Sequence, residues 1–238
     1  MSDDAKIAMV RERWDDFAVR FTATANRRVT LQCARQLHAN LRLSEAQSVL
    51  EVAAGAALGS LDIAERMTSG DDKTKKQKLV VTDLSPTMVG LATETLKQTA
   101  SERLEVSVQE ANGQDLKAIA TGSVDRYVAN MCLQLTPDPD AMLRETKRVL
   151  KADGIAGFTI WGRPEFSGNF TIEAAVSKEL GLSDGADNPN FALGKDLDAL
   201  RQRLAAAGFS QVRIWPFLCV LELWSGDEYA KFQDEINF

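Results

Sequence analysis

The stretch "VLEVAAGAALGS", residues 49–60, decides how the chain is read. The apolar Val49, Leu50 and Val52 end a buried strand that carries an acid, Glu51, and the small residues Ala53, Gly55, Ala57 and Gly59 then open a helix. Small residues at such a turn let a ligand approach the backbone, and the helix start offers unpaired N–H groups. A dinucleotide loop wants three glycines spaced GxGxxG, whereas here Gly55 and Gly59 stand four apart. On this stretch alone, a ligand loop and a plain tight turn both remain open.

Outward from it, strand and helix signals alternate. "KLVVTD" (78–83) is a second apolar run ending on an acid, and "SPTMVGLATETL" is a helix with Ser85 as N-cap and Pro86 in its first turn. "LEVSVQ" (104–109) and "SVDRYVANM" (123–131) are further strands. Asp138 and Pro139 start a helix that carries Met142, Leu143, Thr146 and Val149 and closes at Gly154, and "IAGFTIW" (155–161) is a fifth strand. The alternation predicts a parallel sheet wrapped by helices. Residues 162–192, rich in Gly, Asn, Asp and Ser, read as a cap insertion with one helical stretch, "FTIEAAVSKELGL". The helix "KDLDALRQRLAAAGF" follows, then two strands, "QVRIW" and "FLCVLELW", hinged at Pro216. The expected organisation is a single domain: a helical lid at 1–44, a core at 45–161, the cap at 162–192, and a helix with a strand pair at 193–238.

Composition limits the function classes. With 238 residues and 45% hydrophobic content the chain can bury one good core. Lys and Arg number 28 against 34 Asp and Glu, a net charge of −6 that should repel a phosphate backbone, so no nucleic-acid partner is expected. The basic run "KTKKQK" (73–78) reads as a solvated loop. Cys33, Cys132 and Cys219 are widely separated, without metal-ligand spacing, and an odd number is a poor disulfide framework. With no apolar signal core in "MSDDAKIAMVRERW" and no membrane-length apolar run, a cytoplasmic protein is expected. The single histidine, His38, sits in an amphipathic helix as a structural or exposed group, so neither a histidine base nor a metal centre is expected.

In open α/β sheets ligands bind beyond the carboxyl ends of the strands, which directs attention to the loops after Val52, Thr82, Gln109, Asn130 and Trp161. Asp83 ends the second strand, where a carboxylate can accept both hydroxyl protons of a ribose. Its other reading, a helix cap, is already met by Ser85. In "EANGQDL" (110–116), Asn112 is either turn chemistry or an acceptor for an exocyclic amine, with the Gly113 N–H meeting a ring nitrogen. In the second reading, Asn112 and Gly113 together with Asp83 would define an adenosine site.

The order "VLEVAAGAALG", "VVTDLSPTMV", "ANGQDL" and "GSVDRYVANMCLQLTPDPDAMLRETKRVLKADGIAGFTIWG" resembles the class I S-adenosylmethionine-dependent methyltransferases of small-molecule type, over about residues 45–162. The resemblance implies a Rossmann-like, seven-stranded, mostly parallel sheet with helices on both faces and its last strand antiparallel. It implies S-adenosylmethionine as cofactor, with S-adenosylhomocysteine as product. It places Glu51, Ala53 and Gly55 in the glycine motif, Asp83 on the ribose, Leu84 and Met88 against the adenine, Asn112 and Gly113 at the adenine edge, and Asn130 and Leu133 beside the methionine moiety. Ala53 and Ala57 stand where the family commonly has glycine, and Asn112 where it has aspartate. A positive φ at Ala53 would cost on the order of 1 kcal/mol.

Methyl transfer is an in-line displacement for which the protein mostly supplies position and desolvation, so no catalytic residue is named. Trp14, Phe17 and Phe21 share one helical face, as core packing or as a lid over the cofactor. Trp161, Phe166 and Phe170 lie at or beyond the fifth strand's end, as walls for a small apolar or aromatic acceptor or as cap core. The leading expectation is a small-molecule methyltransferase. The rival is a catalytically silent module of the same fold that binds a partner protein.

Overall fold

The computed structural model describes residues 2–72, 74–182 and 188–236. Strands β1 (Ser48–Val52), β2 (Gln77–Asp83), β3 (Leu104–Glu110), β4 (Val124–Asn130) and β5 (Leu150–Thr159) form one sheet in the order β3-β2-β1-β4-β5. Every pairing is parallel, with Glu51 of β1 level with Val81 of β2 and Val128 of β4. The strand order reverses between β1 and β4, which opens a crevice at their carboxyl ends.

The helices are α1 (Asp3–Phe21), α2 (Leu31–His38), α3 (Leu58–Thr68), α4 (Pro86–Leu96), α5 (Pro139–Val149), α6 (Gly168–Glu179), α7 (Leu197–Ala206) and α8 (Gly226–Ile236). A π-helical stretch, Thr22–Thr30, joins α1 to α2. Alternate strand residues bury on opposite faces, because side chains of a strand point to alternate sides. Val49, Leu79, Val81 and Val128 pack with Leu37, Ile63, Met67 and Leu96 of α2, α3 and α4. Leu50, Val52, Val80, Tyr127 and Ala129 pack with Met142, Leu143 and Val149 of α5. Helix starts follow the sequence signals: Ser85 accepts the Met88 N–H at 3.0 Å and Asp138 accepts the Ala141 N–H at 2.9 Å. Asp125 fixes the register of β1, its carboxylate accepting the N–H groups of Gln47 and Ser48 at 2.8 Å each and pairing with Lys151 at 2.7 Å.

The expected seven-stranded sheet with an antiparallel last strand is corrected to five strands, all parallel. Residues 211–224, expected as a strand pair, are extended but join no ladder. Their backbone groups are engaged by helix side chains. Arg201 donates to the Val212 carbonyl at 3.1 Å and Arg28 to the Glu222 carbonyl at 2.9 Å. Gln32 bonds both the N–H and the carbonyl of Val220, at 3.1 and 2.8 Å. Pro216 has no N–H to give. The chain then turns into α8, a helix that the sequence reading did not anticipate, and Tyr229 and Gln233 tie it to the Asn169 carbonyl of α6 at 2.9 and 2.7 Å.

In the basic run, Lys73 lies outside the described residues. Lys75 and Lys76 hydrogen-bond the carbonyls of Glu45 and Glu102, and Lys78 pairs with Glu105 at 3.0 Å. Residues 183–187 of the expected cap also lie outside the described residues. Among the described residues, no helix is long and apolar enough to cross a membrane.

Candidate functional site

The loop after β1 is built on three left-handed residues, with φ of +55° at Ala53, +57° at Gly55 and +61° at Ala57. Only glycine takes that conformation freely. Hydrogen bonds hold the two alanines there: Ala54 N–H donates to the Thr82 carbonyl at 3.0 Å, Ala57 N–H to the Ala54 carbonyl at 3.1 Å, and Gly55 N–H to Asp83 Oδ2 at 2.8 Å. Relief of the left-handed strain exceeds the added freedom of the unfolded chain. Ala53→Gly is therefore expected to stabilise the fold by about 0.5–1 kcal/mol, a rise of roughly 1–4 °C in Tm by scanning calorimetry. An unchanged or lower Tm would show that the strain is absorbed elsewhere.

Asp83 sits at the centre of this corner. Its Oδ1 accepts the Ser85 N–H at 3.0 Å while Oδ2 holds Gly55, so both oxygens are tied to backbone and each keeps a further lone pair. It is 8% exposed. Burial pushes its carboxyl above the ordinary range, against the pull of the Ser85 and Gly55 N–H groups.

A cleft opens here, at the carboxyl ends of β1, β2, β3 and β4. Of the residues singled out as cofactor contacts, Ala53, Gly55, Asp83, Leu84, Met88, Asn112, Gly113 and Asn130 line it. Glu51 and Leu133 do not. Glu51 lies beneath the loop and accepts the Ser60 hydroxyl of α3, and Leu133 is buried in the core against α5. Trp14 and Phe21 line the cleft from α1, ring to ring at 5.1 Å, while Phe17 between them turns inward. Trp161, Phe166 and Phe170 are not brought to it. Trp161 stacks edge-on with Phe170 at 4.8 Å and Phe170 with Phe191 at 5.5 Å, forming the core of the cap, and Phe166 is 69% exposed.

Two ties hold α1 across the cleft. Asp15 accepts the Ser85 hydroxyl and the Thr87 N–H, the latter at 3.0 Å, and Arg11 pairs with Glu110 at 2.6 Å. Burial works against it, yet these hydrogen bonds keep the Asp15 carboxyl below its ordinary range.

At the far end, Asn130 is oriented by two partners, one of them held in turn by a backbone N–H. Its amide donates to the Thr30 carbonyl at 3.1 Å and accepts the Thr159 hydroxyl at 2.6 Å, and that hydroxyl oxygen accepts the Met131 N–H at 2.9 Å. Met131 takes a φ of +55°. At the β3 end, Asn112 Oδ1 accepts the Gln114 N–H at 3.0 Å, which is turn chemistry with one lone pair left over. A Cβ on Gly113 would meet Val52 Cγ1 at 2.9 Å, so glycine lets this turn close against β1.

Asn26, Thr30 and Cys132 also line the cleft and were missed. Asn26 and Thr30 belong to the π-helical stretch, whose sequence "TATANRRVT" has no apolar period to reveal it. Burial, and then the Asp83 carboxylate, push the Cys132 thiol up to about 12, so it stays protonated at neutral pH.

The polar lining suits a hydroxyl- and amine-bearing ligand that carries no phosphate. Among the described residues, no Lys, Arg or His lines the cleft, so a phosphate would face Asp83 with no compensating cation. The absent side chain of Gly55 leaves a cradle, where a Cβ would lie 3.8 Å from Met88 Sδ and 3.9 Å from Asn26 Nδ2. A flat base over Leu84 and Met88 and a ribose diol at Asp83 fit this shape.

Comparison with known proteins agrees. Residues 50–158, from within β1 to near the end of β5, match the family described as methyltransferase domain. The methyltransferase ucsB of Acremonium sp is 27% identical over 216 residues, which span 85% of this chain and 70% of the relative. A chain from the complex between the Haloferax volcanii Trm112 methyltransferase activator and a methyltransferase is similar in fold. Its TM-score is 0.59 at 21% identity, over 84% of this chain and 75% of its own. A SAM dependent methyltransferase from Aquifex aeolicus has a TM-score of 0.52 at 16% identity, over 87% and 88%. Over residues 50–158 the chain thus carries a methyltransferase domain, its fold is similar to that of S-adenosylmethionine-dependent methyltransferases, and the cofactor that this match supports is S-adenosylmethionine.

Proposed function

We propose that the acceptor is a small apolar or aromatic molecule, bound between α1 and the carboxyl ends of β1 and β4 and methylated there by in-line displacement. The observation that carries this reading is the apolar wall of α1. Ile7, Val10, Trp14 and Phe21 face the same cleft as Asp83 and Asn130. Apolar and aromatic walls with a few fixed polar groups are the usual make-up of a small-molecule site.

Bound S-adenosylmethionine supplies an electrophilic methyl on a sulfonium, and the chain's residues do the rest. Asp83 accepts the ribose hydroxyls. Leu84 and Met88 cover one edge of the base, and Asn112 offers its remaining lone pair to the exocyclic amine. Asn130, locked by Thr30 and Thr159, orients the amino-acid end. Trp14 and Phe21 exclude water and hold the acceptor against the methyl, so that most of the rate gain comes from proximity and desolvation. Cys132, protonated at neutral pH, is a neutral wall and neither base nor nucleophile. With no histidine in the cleft, the acceptor atom arrives with a free lone pair or loses its proton to solvent.

The test is a transfer assay with methyl-labelled S-adenosylmethionine against panels of phenols and other flat aromatics, aliphatic amines, peptides and RNA. Label is expected in the aromatic panel. Label confined to peptides or RNA overturns the acceptor assignment. No label in any panel, together with a stoichiometric protein partner on co-purification, establishes the silent module instead.

A further inference from the structure

Cys33 and Cys219 are 186 residues apart in sequence, yet their Sγ atoms lie 2.6 Å from each other. That is far inside the contact distance of two non-bonded sulfurs and about half an ångström beyond the ~2.05 Å of a covalent bond. Both are free thiols. Cys33 projects from α2 and is 7% exposed, whereas Cys219 is half-buried in the extended segment 211–224, between the exposed Leu218 and Val220. The surrounding geometry is fixed. Gln32, next to Cys33, bonds both backbone groups of Val220, next to Cys219, and Arg28 bonds the Glu222 carbonyl. The two sulfurs are thus brought together by a clamp that does not depend on them.

We propose that Cys33 and Cys219 form a dithiol site that a low-molecular-weight disulfide oxidises to a cystine, locking segment 211–224 onto α2. The half-exposed Cys219 thiolate attacks the disulfide reagent and expels one thiol. Cys33 then attacks Cys219 Sγ in the mixed disulfide, expels the second thiol and gives up its proton to it. Two thiols and one disulfide become one cystine and two reagent thiols, so electrons and protons balance. The hydrogen bond from the Cys33 thiol lowers the Cys219 pKa, while that bond and burial raise the Cys33 pKa, which makes Cys219 the attacking group. Cys132, in the cleft, is a third free thiol and serves as an internal reference. The bond would brace the cleft at one remove, because α2 continues from the π-helical stretch that carries Asn26 and Thr30.

The experiment equilibrates the full chain in glutathione buffers from fully reduced to fully oxidised, quenches with acid, alkylates, and maps the peptides by mass spectrometry. One linked Cys33–Cys219 peptide is expected, with Cys132 the single alkylated thiol. Cys132→Ser should form the same link, and Cys33→Ser should leave Cys219 as a stable mixed disulfide. Oxidation should raise Tm by roughly 4–16 °C, as for a bridge closing a long loop. Three alkylated thiols across the whole range, a link through Cys132, or a mixed disulfide on Cys219 that persists in the unsubstituted chain would each overturn the proposal. A fall in Tm on oxidation would refute the locking. Peptide mapping of the unsubstituted chain decides the matter even where a serine variant fails to fold.

Discussion

Asp83→Ala is expected to weaken binding of S-adenosylhomocysteine by about 5- to 150-fold, which corresponds to the roughly 1–3 kcal/mol of a lost charge-assisted hydrogen bond. The same change strips partners from two backbone donors, Gly55 N–H and Ser85 N–H, which the two carboxylate oxygens now hold. Each buried donor left unpaired costs on the order of 1–3 kcal/mol, partly offset by removing a buried charge. Tm should therefore also fall. Asp83→Asn is no rescue. Whichever way its amide is turned, the NH₂ group meets one of these backbone donors, so it should lose affinity nearly as far as the alanine variant. Isothermal titration calorimetry well below the Tm of each variant separates the effects. Full affinity in Asp83→Ala would remove the ribose role, however much stability had changed.

The parts of the fold that were legible in sequence share one property, a strong local signal that agrees with the tertiary arrangement. The five parallel strands are short apolar runs, and the caps at Ser85 and Asp138 mark the helices between them. The rule that ligands sit at strand carboxyl ends then brought Asp83, Asn112 and Asn130 together without coordinates. It misplaced the aromatics after β5, because the chain leaving Thr159 turns away into α6, where Trp161 and Phe170 find Phe191. "QVRIW" and "FLCVLELW" have the composition of strands, but membership in a sheet depends on where backbone partners come from, and here Arg28, Gln32 and Arg201 supply them. The Cys33–Cys219 contact likewise has no local signature. The inward face of the π-helical stretch was invisible because its buried residues are Asn26 and Val29, too few to make a period.

Glu51→Gln should separate the acid of the glycine loop from the acid that lines the cleft. Glu51 is 3% exposed, and Ser60 is the one hydrogen-bond partner of its carboxylate among the described residues. Burial pushes its carboxyl above the ordinary range. The Asp83 carboxylate adds to this, and His38 and the Ser60 hydroxyl oppose it. The folded state thus holds this proton more tightly than the unfolded chain does. The resulting stability is fully present below the unfolded carboxyl pKa of about 4.3 and is lost as pH rises through the folded pKa. Glutamine keeps an acceptor for Ser60 and cannot ionise. The variant should therefore match the unsubstituted chain at the acid end. Above the transition it should exceed it by about 1–3 kcal/mol, roughly 2–12 °C in Tm by scanning calorimetry across pH. The mirror result, a variant less stable at pH 8, would mean that Glu51 is ionised in the folded chain. Because Glu51 does not line the cleft, its variant should bind S-adenosylhomocysteine within about 3-fold of the unsubstituted chain, well short of one lost hydrogen bond to a charged group. A loss as large as that of Asp83→Ala would show that the acid beneath the loop acts on the cofactor through the left-handed turn at Ala53, Gly55 and Ala57.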